Sequence, residues 1–248
     1  PASSSAMRDL GYRLTLLPDT QDLSIHLRLA LFGYLVSVAK LNSEPDTEER
    51  NYSMLVHTSG ARVDHSIDYK QVVEVFNVLY RTGHAKRERF IRELWEVARD
   101  RFGDAADSLT QYVLRNVSRY VVVVMNSDFD KRNQDYETAT DPSTLFTIAI
   151  GGNIVSRGVT FNSLLAMFFT RDTKHKIQQD TYIQRARMFG TRDYPLALFE
   201  LTIPESLYFD WHRCFVFHSL ALESIRNTQS APVWLGDHRI NAVSPTSI

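Results

Sequence analysis

The chain has 248 residues, 44% hydrophobic and 23% charged, with a formal net charge of −1. That composition fits one large or two small globular domains able to bury a core without disulfides or metal, and it excludes a generally basic nucleic-acid binder. The single cysteine, Cys214, excludes an internal disulfide and any CxxC zinc site, and fits a reducing, cytoplasmic compartment. No membrane span is expected: the longest apolar stretch, Leu27 to Ala39, falls short of the roughly 20 residues a bilayer needs, and Arg28 interrupts it. The opening PASSSAMRDL lacks a signal-peptide layout.

In chain order, Asp19 or Thr20 caps a helix running to about Lys40, with Leu27, Leu31, Leu35 and Val38 at helical spacing. A polar loop from Asn42 to Asn51 leads to a first strand, Tyr52 to Thr58. A long helical block follows. Val72, Val75, Phe76 and Leu79 form one stripe, ended by Gly83; Phe90, Ile91, Leu94, Trp95, Ala98 and Phe102 form another, ended by Gly103. A weaker helix covers Ala105 to Val117. The four valines of Tyr120 to Met125 predict a strand buried on both faces. Ser127 to Ser143 reads as a polar loop. Leu145 to Ile150 and Leu164 to Thr170 read as strands, and Lys176 to Phe189 as a helix stopped by Gly190. Leu196 to Ile203 reads as a fifth strand. Pro204 opens a long helix to about Arg226, with Leu207, Trp211, Cys214, Phe215 and Leu222 as its expected inner residues. Apolar strands alternating with helices predict an α/β fold, a parallel sheet of about five or more strands flanked by helices.

Charge is unevenly distributed. Arg81 to Arg101 holds seven Lys/Arg against four Asp/Glu, and Arg171 to Arg192 six against two. These are two local basic zones on an acidic background, suited to anions or simply to solvated helix faces.

Two stretches carry chemistry. GGNIVSRGVTF, Gly151 to Phe161, directly follows a strand; its glycines let backbone approach an anion, and Arg157-Gly158 puts a cation beside a tight turn. A plain strand-end turn is the simpler reading of that stretch alone. In QDTYIQRARMFGTR, Gln179 to Arg192, Gln184 and Arg187 share a helix face, and Arg192 sits just past Gly190. Arginines so placed offer planar donor forks to one phosphate, although a surface helix would carry arginines too.

Taken together, the two stretches resemble the second ATPase lobe of superfamily 2 helicases. The closer resemblance is to the Z1 domain, a helicase-like family associated with endonucleases in bacterial restriction and defence proteins. It rests on GGNIVSRGVTFNSL, FFTR and QDTYIQRARMFGTR, with support from YSMLVHTS upstream and LYFDWHRCFVFHSLALESI downstream, and it covers about Leu17 to Arg226. Three positions depart from the family pattern, where Gly, Trp and Tyr are replaced by Ala186, Met188 and Thr191. Arg157, Gln184, Arg187, Gly190 and Arg192 are kept.

The resemblance implies a RecA-like lobe over residues 47–227 with a helical insertion at about 66–116, a helical lead-in over 1–46, and the start of a following region at 228–248. It makes Arg187 and Arg192 candidate arginine fingers, which stabilise charge on a transferring phosphoryl group. Gly151, Gly152, Asn153, Arg157, Gly158 and Gln184 become candidate nucleotide-site residues. Thr58, Ser59, Ser156 and Thr160 become candidate nucleic-acid contacts at strand ends or in the loop, joined by Lys86, Arg87 and Arg89 of the first basic zone. Each hydroxyl is individually also a common turn residue.

No GxxxxGK[ST] loop occurs in the chain, and that loop with its lysine is the main phosphate cradle. ATP and Mg²⁺ are therefore expected in the intact protein and not as tight ligands of this chain alone. The expected partners are DNA, a first RecA-like lobe N-terminal in the same protein, and a nuclease domain or subunit. No nuclease motif is visible: His84-Ala85-Lys86 begins like a phospholipase-D-type HxK motif, but Ile91 stands where its Asp belongs. His57, His65, His175, His212 and His218 have no metal-ligand spacing. The expected function is the C-terminal lobe of a DNA-dependent ATPase or translocase of a restriction or anti-phage system. The alternative is a catalytically inactive helicase-like interaction module. A small-molecule enzyme of Rossmann type is disfavoured, because GGN is not GxGxxG.

Overall fold

The computed structural model describes residues 11–18, 23–44, 47–58, 62–125, 134–151, 160–170, 177–178, 196–227 and 240–241. In chain order the strands are β1 (Arg13–Leu17), β2 (Tyr52–His57), β3 (Tyr120–Met125), β4 (Phe146–Gly151), β5 (Leu164–Phe169), β6 (Ile177–Gln178), β7 (Glu200–Pro204) and β8 (Ile240–Asn241). The helices are α1 (Leu23–Asn42), α2 (Arg62–Tyr80), α3 (Arg87–Phe102), α4 (Ala106–Asn116), α5 (Gln134–Thr140) and α6 (Glu205–Arg226). Six strands form one sheet in the order β1-β7-β5-β2-β4-β3, every pair parallel, and β6 pairs with β8 separately. The fold is α/β, as the alternation of strands and helices predicts.

Two cores flank the sheet. On one face, α1 to α4 pack against Met54, Val56, Ile148, Ile150 and Phe168; on the other, α5 and the first half of α6 pack against Leu55, Ala149, Met167 and Phe169. Alternate residues of each strand feed alternate cores, as pleating requires. The β1-to-β2 and β2-to-β3 connections run one way along the sheet over the α1–α4 face, and the β3-to-β4 connection returns over the α5 face. Reversing direction and face together gives all three one hand, in keeping with the crossover rule.

Helix α1 is long and apolar enough to cross a membrane by length and composition. Here it is a core helix, buried from Ala30 to Ala39 between the sheet and the helical block. Its Tyr34 hydroxyl donates to the Tyr52 carbonyl at 2.5 Å and accepts from the Thr147 amide at 3.1 Å, tying α1 to β2 and β4. The stripes expected on α2 and α3 are the buried ones, with Ile91, Trp95 and Phe102 half-buried. Gly103 closes α3 at φ +56°, a conformation glycine adopts without a Cβ penalty.

Several expectations are corrected. Residues 13–17, read as part of a helical lead-in, form β1 and pair with β7 along their whole length. The segment is short, and its partner lies far along the chain. A seven-residue helix, α5, interrupts the expected loop between Ser127 and Ser143. Ile177 and Gln178, expected in a helix, form a strand. The valines of β3 lie at the sheet edge and are mostly half-buried, so they reflect β-propensity rather than a central position. In α6, Leu207, Trp211 and Cys214 are buried, but Phe215 and Leu222 are about 40% exposed. A 22-residue helix spans ~33 Å, whereas strands of five or six residues span ~20 Å, so the second half of α6 outruns the sheet.

Candidate functional site

In parallel α/β sheets ligands gather at the carboxyl edge, where β2, β4 and β5 end side by side in this chain. His57, the last residue of β2, is fully buried and joins all three strands. Its Nδ1 lies 2.6 Å from the Gly151 carbonyl oxygen, and its own carbonyl accepts from the Thr170 amide at 3.1 Å. A carbonyl only accepts, so Nδ1 carries the proton. The ring packs on Phe169 at 4.7 Å between centroids, and Phe169 packs edge-on against Trp211 of α6 at 4.8 Å. His57 thus fixes the point from which the Gly-Gly stretch leaves β4. Sequence reading found no metal spacing for it and missed this positioning role, although a histidine closing an apolar strand was the available signal.

Thr58 follows directly. Its hydroxyl donates to the Asp68 carboxylate on the second turn of α2. Asp68 is 8% exposed. Burial pushes its carboxyl above the ordinary range; the Thr58 hydrogen bond and nearby His65 oppose the shift, and Asp64 adds to it. A cavity of about 330 Å³ opens beside the pair, lined by Ser24, Asp64, Asp68, Gln71 and Phe168 among others. Ser24, Leu27 and Gln71 also line a neighbouring cavity of about 190 Å³ that reaches Arg28, Glu74, Lys86 and Arg89. One groove between α1 and α2 therefore connects Thr58 to two candidates of the first basic zone.

Those cations have protein partners. Lys86 Nζ lies 2.6 Å from Glu74, and Arg87 Nε donates to the Leu79 carbonyl at 3.1 Å. Arg89 lies 3.6 Å from Glu93, which also accepts from Arg28 at 2.7 Å. The Arg89 guanidinium also stands 5.3 Å over the Phe90 ring. The zone thus stitches α1, α2 and α3 together, and its formal +3 overstates the charge offered to an external anion.

The predicted site residues divide three ways. Gly151 and Thr58 meet at the carboxyl edge, with Lys86 and Arg89 farther along the groove. Thr160 stands apart: it lies shortly before β5 begins, where Asn162 bonds Thr140 and Ser163 bonds the start of β2, near the amino edge of the sheet. Ser59, Gly152, Asn153, Ser156, Arg157, Gly158, Gln184, Arg187 and Arg192 lie outside the described residues. Among the described residues no three His, Cys, Asp or Glu side chains come together to hold a metal ion.

A family model described as Z1 domain matches residues 26–232, well over half of the chain. No curated protein and no solved structure matches it.

Proposed function

The chain belongs to the Z1 domain family, and from that premise we propose that it is the second RecA-like lobe of a DNA-dependent ATPase or translocase serving a bacterial restriction or anti-phage system. The observation that carries this reading is the carboxyl edge itself. Gly151, from which the GGNIVSRG stretch departs, is clamped to β2 through His57 beside Thr58 and Asp68. In this reading Arg187 and Arg192 reach the γ-phosphate of ATP held with Mg²⁺ by a preceding lobe, and Gln184 orients nucleotide or water. Gly152, Asn153, Arg157 and Gly158 couple the nucleotide to the DNA track, which Thr58, Ser59 and Ser156 border. Strand cleavage belongs to a nuclease domain or subunit.

The test is MgATP hydrolysis by the intact protein, including the preceding lobe, with and without duplex DNA. Arg187→Ala is expected to lower DNA-stimulated turnover by ~10³-fold or more without unfolding the protein. A folded wild type with no turnover would sink the proposal. It would favour the second reading, an inactive interaction module, which the internal pairing of Lys86, Arg87 and Arg89 supports.

A further inference from the structure

Helix α6 is buried along one face, where Leu207, Trp211 and Cys214 join the core over the sheet. A second stripe looks the other way. Phe209, Val216 and Leu220 stand seven and then four residues apart, the spacing that keeps side chains on one line of a helix. They are 52%, 40% and 50% exposed. Single exposed apolar side chains are ordinary, but a line of three on a helix that outruns its sheet calls for cover. The same line continues through Arg213, Glu223 and Asn227. Arg213 stands three residues before Val216, and Glu223 three after Leu220. The line thus carries opposite charges at equal distances from its apolar middle. Both reach solvent: the Arg213 side chain is 38% exposed while it donates to Asp210 of its own helix, and Glu223 is exposed.

A stripe of this kind is its own complement. In an antiparallel pair of α6 helices related by a two-fold axis, Val216 of each copy meets Leu220 of the other. The same register sets Arg213 against Glu223, and Phe209 against Asn227. A parallel pair would set Arg213 on Arg213 and Glu223 on Glu223, which like charges oppose. An unrelated partner would have to bring an acid and a base at the same two distances, whereas a second copy supplies them by symmetry. The stripe lies opposite Trp211 and Cys214 on the helical period, so the two sheets stay on the outer sides of the pair. We propose that α6 docks antiparallel on α6 of a second copy of this chain, through Phe209, Val216 and Leu220 with an Arg213–Glu223 pair at each flank. The patch is smaller than the roughly 20 residues a side of a standard interface, so the dimer is weak, with a dissociation constant in the micromolar range. The inference does not rest on the ATPase reading.

Sedimentation velocity of the full chain across about 1–100 μM tests it. A concentration-dependent passage from monomer to dimer is expected. Leu220→Glu should weaken association at least tenfold, and Glu223→Arg, which sets a cation against Arg213, about fivefold. Leu222→Glu alters another exposed leucine of α6 that lies off the stripe, and should leave association unchanged. All three side chains are exposed, so the substitutions leave the core intact. A monomer throughout would overturn the proposal and leave the stripe to another segment of the chain or to a partner of different chemistry. Association undiminished in Leu220→Glu or in Glu223→Arg would overturn it too. So would a loss in Leu222→Glu as large as that in Leu220→Glu.

Discussion

Two buried carboxylates face opposite circumstances in this fold. Glu200, on β7, receives the Arg101 guanidinium and the Thr15 hydroxyl, with Arg13 alongside. Asp68, at the carboxyl edge, receives the Thr58 hydroxyl, with His65 nearby. The first is a charge neutralised within the protein, and it fastens the last turn of α3 to the sheet. The second has its carboxyl raised by burial, beside a groove that opens to solvent. A carboxylate with a dedicated arginine is part of the scaffold. One held by a hydroxyl, with an imidazole nearby, is less fully compensated.

The largest expected effect tests the scaffold half of that contrast. Arg101→Met leaves Glu200 buried without its cation and should cost about 3–5 kcal/mol in urea unfolding. The double variant Arg101→Met with Glu200→Leu should recover most of that loss, because breaking such a pair costs far more than replacing both members. A double variant as unstable as the single one would show that the pair does something other than balance charge.

Gly33 sharpens the same point. A Cβ there would lie 2.0 Å from Arg101 Nη2, so the guanidinium reaches Glu200 across a gap in α1 that only glycine leaves. Gly33→Ala should destabilise by ~2–4 kcal/mol, although alanine is otherwise worth ~1 kcal/mol in a helix interior. In the Arg101→Met background the same substitution should become neutral or stabilising, and a loss undiminished there would disprove the steric account.

Asp68→Asn tests the other half. Asp68 has its carboxyl raised in the folded state, so its cost to stability is full above that raised value and relieved as pH falls through it toward the ordinary 3.8. The variant should therefore be more stable than wild type at neutral pH, with the gap closing on acidification. A gap independent of pH would mean that folding leaves the Asp68 carboxyl at its ordinary value.

The smallest effect is expected from the first basic zone. Reversing Lys86, Arg87 and Arg89 to Glu should change stability by about 1 kcal/mol per pair or less. In the intact protein it should lower DNA affinity and its salt dependence only modestly, because these cations already have partners. A loss as steep as that of a phosphate-contacting cluster would place the zone on the DNA track after all.

The sequence by itself determined the elements whose signal is local. Leu27 to Val38, Val72 to Leu79 and Phe90 to Ala98 carry a helical period, Gly103 a stop, and Met54 to Val56 and Phe146 to Ile150 continuous burial; each sits where its pattern puts it. Thr58 and Gly151 were legible in the same way, as polar or glycine residues closing apolar strands. Tertiary structure alone decided the partners. Arg101 and Glu200 are 99 positions apart, and Thr15 and Glu200 are 185 apart. No local pattern marks one arginine of a basic zone as the one that crosses α1. Nor does YRLTLL announce that it will close the sheet beside ELTIP, because a five-residue strand has too few alternations to declare itself without its neighbour. The physical reason is the range of each effect: backbone periodicity is set within a turn or two, whereas charge neutralisation and strand pairing depend on which distant residues the crossovers bring together.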